Sequence, residues 1–332
     1  MLRLSDLTGY ADGPPIEPPA HVAAVIERLG HALDVDAMEL ITERAEIWSY
    51  GRNGQISCGG ATRLLETADD WIALSLSRAD DEALVDAWIG TEHDWGTIAE
   101  VVARRPARDL VDRGRLLGLP IARLGERASS GSLSSGDCIA DMPAIDTTPI
   151  VVDLSSLWAG PLCTRLLCDM GMRVIKVEAR TRPDGARRGP KAFFDSLHHG
   201  KEFVAIDFTR DELQPLIDEA DVVIEGSRPR ALEQLGIDKS KPRVWLSITG
   251  HGRHEPQRNW VGFGDDAAVA GGLVAYADDE HATPVFMGDA IADPLTGLAA
   301  AVVVRDALKH GNQWMFDCNL SGVAAYVASA AR

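Results

Sequence analysis

Two carboxylates, Asp289 and Asp293, sit where the apolar run PVFM gives way to the helical run LTGLAAAVVVRDALKHG. Asp293 followed by Pro294 reads as an N-cap with proline at the first helical position. Lys309 and His310, with Gly311 after them, read as the helix end. A carboxylate at a helix start is held ionised by unpaired N–H groups and the positive end of the dipole. Such a group is either a plain cap or an aimed nucleophile, and an Asp-Pro pair by itself leaves both open.

Other chemistry-bearing residues are thinner. Arg180, Arg182, Arg187, Arg188 and Lys191, followed by His198-His199-Gly200-Lys201, make the strongest basic cluster of the chain. It is either a solvated loop or a place for phosphates. The segment HGRHEP (His251, His254, Glu255) carries two imidazoles, but no third ligand stands nearby, so no metal is expected. The turn LSSLWAGPLCTRLL lacks both GxGxxG and GxxxxGK[ST], which argues against a dinucleotide or P-loop site. No GxSxG elbow is present.

With 33 basic and 50 acidic residues among 332, the net charge of −17 disfavours nucleic acid or an anionic membrane as partner. Cys58, Cys138, Cys163, Cys168 and Cys318 form no CxxC pair and read as free thiols. No signal-like N-terminus and no bilayer-length apolar run is seen, so a cytoplasmic location is expected.

The elements that must position these groups follow from periodicity. Val22, Val25, Ile26, Leu29 and Leu33 recur at helical spacing within 21–48, with a break near Asp34–Asp36. Residues 1–57 thus read as a helical lead-in, irregular up to 20. Residues 58–128, with a strand at 70–76, helices around 79–117 and a strand at 119–124, read as a small α+β domain. The Ser/Gly-rich stretch 129–147 reads as a linker. From 148 to 332, strand and helix alternate, with strands at 150–154, 174–178, 203–207, 222–225, 244–249 and 313–318. That alternation predicts an α/β fold, a Rossmann-like parallel sheet flanked by helices.

Five segments of this last region appear in one order. They are VVDLSSLWAGPLCTRLLCDMGMRVIKVE, HHGKEFVAIDF, ADVVIEGSRPRALEQLG, WLSITGHG, and the pattern Pro284-Val285, Gly288, Asp293, Gly297. Together they resemble the large domain of the family III CoA-transferases, the group that holds formyl-CoA transferase, carnitine CoA-transferase and the α-methylacyl-CoA racemases. The resemblance implies that Asp293 is the catalytic aspartate and that Asp289 has no such role. It implies acyl-CoA contacts from Trp158-Ala159-Gly160 and from Gly226-Ser227-Arg228-Pro229, with Arg180 and Lys201 as cations for the CoA phosphates. Residues 58–128 resemble the small domain that relatives carry after the large one, so the order of parts is rearranged. Gly59 and Gly60 then stand for the family's glycine-rich loop.

The function expected from this resemblance is an acyl-CoA:carboxylate CoA-transferase working through an aspartyl anhydride and an aspartyl-CoA thioester. Coenzyme A thioester is its substrate, a carboxylic acid its acceptor, no cofactor is held permanently, and an interlocked homodimer is expected. A non-catalytic acyl-CoA-binding subunit and an α-methylacyl-CoA racemase are the alternatives. Racemisation needs a base on each face of the α-carbon, and Val261–Gly272 contains none of the His that the racemases place there. A 2-methylacyl-CoA incubated with the protein in deuterated water is therefore expected to take up no α-deuterium. Incorporation at a catalytic rate, read by mass spectrometry, would restore the racemase reading.

Overall fold

The apolar spacing at the start of the chain does form helices. The computed structural model describes the backbone of residues 1–143, 145–226 and 229–330. Its first helices are α1 (Ala20–Leu33) and α2 (Ala37–Trp48). Val22, Val25, Ile26, Leu29 and Leu33 are all buried, each contributing roughly 1.5–3 kcal/mol of transfer free energy. The break is built by Asp34 in the left-handed region (φ 58) and by Asp36, whose carboxylate accepts from the N–H groups of Met38 and Glu39. Residues before α1 are not all irregular, because a 3-10 turn at Leu4–Leu7 buries both leucines.

A small antiparallel sheet follows, ordered β1 (Thr62–Glu66), β2 (Trp71–Ser75), β3 (Ile121–Arg123). Strand β1 was not expected from the sequence, since its glycine-rich approach hides a five-residue run that pairs fully with β2. Between β2 and β3 run α3 (Ala79–Ala83), α4 (Val85–Ile89), α5 (Trp95–Val102) and α6 (Ala107–Leu117). These close a separate core around buried Trp88, whose indole N–H donates to the Leu110 carbonyl at 2.9 Å.

The Ser/Gly-rich segment contributes β4 (Ser135–Ala140), exposed along its length and paired only by backbone bonds. Then come β5 (Ile150–Leu154), α7 (Ala159–Asp169), β6 (Arg173–Ala179), α8 (Lys191–Leu197), β7 (Glu202–Ile206), α9 (Arg210–Asp218), β8 (Val222–Glu225), α10 (Pro229–Gln234) and β9 (Val244–Thr249). The remainder is α11 (Gly264–Ala270), the hairpin β10 (Val274–Tyr276) and β11 (Pro284–Phe286), α12 (Ala292–His310), β12 (Gln313–Asn319) and α13 (Leu320–Ser329). The large sheet runs β4-β12-β9-β8-β5-β6-β7, parallel except for β4. Alternation sorts its faces: Val151, Val222, Ile224, Val244 and Leu246 join one core, while Val152, Val223 and Trp245 join the other. Helices α1, α7, α12 and α13 cover the first face. No helix among the described residues is long and apolar enough to cross a membrane.

Strand order reverses between β5 and β8, so the crevice outside their C-terminal ends is a topological switch point. Helices α7 and α12 meet closely beside it because Gly297 has no side chain. A Cβ there would stand 2.7 Å from the Ala159 carbonyl oxygen and 3.0 Å from Leu162 Cβ. Helix propensity alone favours alanine by about 1 kcal/mol. A net loss of about 1–2 kcal/mol on Gly297→Ala, measured by urea unfolding, is therefore expected from overpacking. A net gain would show that the two helices separate freely.

Candidate active site

Helix α12 begins two residues earlier than the Asp-Pro signal implies. Ala292 is its first residue, Ile291 flanks it, and no side chain caps it. Asp293 is thus not the N-cap but lies in the first turn, with its own N–H donating to Ala290 at 2.9 Å. The reason is the turn before it, which Gly288 (φ 71) and Ala290 (φ 42) make with left-handed backbone. Pro294 remains tolerable because the first N–H groups of a helix have no internal partner.

Asp293, freed from capping, is half-buried as a residue rather than fully enclosed. It is backed by Gly264, where a Cβ would come within 2.4 Å of Oδ2 and 2.3 Å of the Ala290 oxygen. Only glycine lets α11 approach this closely. Burial pushes the Asp293 carboxyl up to about 7; Asp265 and Asp289 add repulsion, while Arg44 and the Gly264 N–H pull the other way. Asp265 is pushed up to about 6 by burial and by Asp289, although it accepts from the Ala290 N–H at 3.0 Å and the Thr62 hydroxyl at 3.3 Å. Asp266, fully buried on the same helix, is raised well above the carboxylate range by burial, even though the Phe263 N–H donates to it.

Arg44, from α2, neutralises this acidic cluster. Its Nε donates to Asp289 Oδ2 at 2.6 Å and its Nη2 to Oδ1, a bidentate pair around a carboxylate with no solvent exposure. Asp289 is therefore not a free loop charge. The guanidinium lies 4.9 Å from the Trp158 ring centroid and 6.0 Å from that of Tyr50. A Cβ on Gly59 would be 3.9 Å from Arg44 Nη2, and Cys58 Sγ donates to the Gly288 carbonyl at 3.5 Å. The glycine pair thus borders the cluster within one chain, and Gly60 (φ 80) makes the turn beside it.

The other candidate ligand residues divide. Trp158 is buried at the start of α7 between Arg44 and Phe193, and Ala159 and Gly160 follow it. A Cβ on Gly160 would collide with Ser155 at 2.2 Å, and one on Gly226 would touch Ser155 at 3.5 Å. Both glycines therefore sit against the turn after β5, at the switch point. Arg180 is half-exposed and paired with Asp207 (3.1 Å) and Glu212 (3.3 Å). Lys201 is buried, its ammonium donating to Pro161 O at 2.9 Å, Thr164 Oγ1 at 2.7 Å and Asp153 Oδ2 at 3.2 Å. This places it inside the fold rather than on an open phosphate. Ser227 and Arg228 lie outside the described residues, and Pro229 is described only as the first residue of α10. His251 is buried against Trp260, away from any exposed ligand set, and burial lowers it to about 3.

Arg44 and Asp265 were not singled out by the sequence. Arg44 reads there as an ordinary charge of a surface helix (TERAEIW), and Asp265 as half of an acidic helix start.

Burial makes Asp293 a weaker acid, and folding stability depends on pH accordingly. A carboxyl whose folded value lies above its unfolded 3.8 binds protons more tightly when folded, so folding loses stability as pH rises from about 4 to about 7. Asp293→Asn removes that loss. Above pH 7 the variant is expected to be more stable by on the order of 1–2 kcal/mol, less than the full displacement implies because Asp293 keeps some water contact. Near pH 4 the difference should vanish. Denaturant midpoints at the two pH values check this, and a variant less stable at pH 8 would contradict it.

Residues 149–330, more than half of the chain, match the model of CoA-transferase family III. A mouse (Mus musculus) succinyl-CoA:glutarate CoA-transferase is 30% identical over 248 residues, 68% of this chain and 53% of that protein. A Chloroflexus aurantiacus succinyl-CoA–L-malate CoA-transferase beta subunit is 34% identical over 49% of this chain and 45% of its own length. Among solved structures, a hypothetical protein from Mycobacterium tuberculosis superposes with a TM-score of 0.51 and 26% identity, covering 57% of this chain and 58% of the other. The chain spans about half the length of the curated relatives it matches. By the family-model match over more than half of its length, the chain belongs to CoA-transferase family III.

Proposed function

We propose that this chain carries the acyl-CoA:carboxylate CoA-transferase chemistry of its family, with Asp293 as nucleophile. The observation that supports it is a half-buried, uncapped aspartate on the first turn of α12, within the field of the same Arg44 guanidinium that stacks on Trp158. The ionised Asp293 oxygen attacks the donor thioester carbonyl. The C–S bond breaks, leaving an acyl-aspartyl anhydride and CoA thiolate. The thiolate attacks the aspartyl carbonyl of the anhydride, releasing the donor carboxylate and forming an aspartyl-CoA thioester. The acceptor carboxylate displaces CoA to give a second anhydride. Thiolate attack on its acceptor carbonyl then releases the new acyl-CoA and returns the Asp293 carboxylate.

The N–H of Ala292 at the start of α12 and the N–H of Gly59 are the donors we assign to the tetrahedral oxyanions. Both curated relatives named above carry succinyl-CoA in their names, so it is the donor to try first. The homodimer expected from the resemblance remains part of the reading, although every group of the acidic cluster comes from one chain. An aspartate with an acidity near 7 predicts exchange that rises with pH through neutrality.

Succinyl-CoA without acceptor should leave a covalent adduct on the Asp293 peptide, seen by mass spectrometry. Asp293→Asn should form none and lose CoA exchange to background. A wild-type chain that binds acyl-CoA yet forms no adduct would favour the non-catalytic binding subunit.

A further inference from the structure

Arg44 lies outside the segment that matches the family model, on a helix of the N-terminal lead-in. Its surroundings are nevertheless those of a placed charge. Asp289 grips it from one side with both oxygens, and the Trp158 ring supports its face. The Asp289 loop that holds it is itself pinned, with the Gly288 N–H on Thr8 Oγ1 and the Ala290 N–H on Asp265. Around this cation stand Asp289 from the loop, Asp293 from α12, Asp265 from α11, the Tyr50 phenol beyond α2, and the Cys58 thiol, while Asp266 of α11 faces Asp293 and His251 instead. A bidentate arginine keeps its position, so its field at Asp293 is fixed rather than averaged over rotamers.

We propose that Arg44 is a positioning residue for the Asp293 carboxylate, held in place by Asp289 and favouring the ionised, attacking form and its return when the anhydride breaks. This rests on Asp293 being the nucleophile. The two members of the pair then act on Asp293 with opposite sign: Arg44 attracts a charge there and Asp289 repels it. A pair that only ties α2 to the turn, without its field reaching Asp293, would leave Asp293 unmoved when either half is neutralised.

The test reads Asp293 directly, without turnover. Protein labelled with 13C-aspartate is titrated by infrared difference spectroscopy against its own Asp293→Asn form. The same variants are then assayed for the pH dependence of kcat/KM with succinyl-CoA. Wild type should titrate near 7. Arg44→Met should move the midpoint up by about one unit and Asp289→Asn down by about one unit, with the acid limb of kcat/KM following both. An Asp289→Asn midpoint that is unchanged or raised overturns the proposal, as does a folded Arg44→Met with an unchanged midpoint. Should Arg44→Met fail to fold, Arg44→Gln, which can still hydrogen-bond Asp289 without the charge, takes its place, and an unchanged midpoint there overturns the proposal. A wild-type chain without CoA exchange would remove the activity, whereas the midpoints would still decide the role of Arg44.

Discussion

The buried pair between Arg44 and Asp289 is the constraint on which the site's geometry depends. Taking Asp289 fully and Arg44 largely out of water is costly, and the bidentate geometry and the aromatic faces offset it. Removing one partner alone leaves an uncompensated buried charge, a loss of about 3–5 kcal/mol in other proteins. The pair ties α2 to the turn that launches α12, and that turn holds left-handed backbone at Gly288 and Ala290. For alanine such a conformation is strained, and it persists because Asp265, Thr8 and Arg44 each hold one part of the turn. The reward is an aspartate that starts a helix without being consumed as its cap.

A second polar web performs the same task at the sheet. Asp153 on β5 is held low, despite burial, by Lys176 and Lys201 and by the hydroxyls of Ser155 and Thr164. Lys176 also reaches Asp184 at 3.1 Å, and Asp184 accepts from the Leu157 N–H at 2.9 Å. Leu157 has a positive φ of 73, so the turn that presents Trp158 is strained too. His198, lowered to about 3 by burial and by the two lysines, stays neutral beside them. Both strained turns flank the close contact of α7 with α12 at Gly297. Strain gathers where side chains must be aimed, and buried charge holds it there.

Much of the large sheet was legible because parallel strands are nearly continuous apolar runs. Ile150–Leu154, Val222–Glu225 and Val244–Thr249 stand as the sequence implied, while β6, β7 and β12 differ at their ends by a residue or two. Strand β4, strand β1 and the β10–β11 hairpin were not legible, although the edge strands β3 and β7 were. β4 has no apolar alternation to reveal it, and β1 and the β10–β11 hairpin are short and follow glycine-rich chain. At the site, motif spacing singled out Asp293, but its place in the helix was misjudged by the generic Asp-Pro rule. Arg44 and Asp265 were beyond reach. Their role exists only because α1 and α2 share a core with the large sheet, a long-range contact that no local pattern encodes.

The central claim, that acyl groups pass through an oxygen of Asp293, has one direct measurement. In the proposed sequence the bridging oxygen of the second anhydride comes from the acceptor and stays on Asp293 when CoA leaves with the acceptor acyl group. Turnover with a carboxylate acceptor labelled with 18O should therefore carry the label into the Asp293 peptide, read by tandem mass spectrometry. Exchange that proceeds at its normal rate while that peptide stays unlabelled would contradict the account.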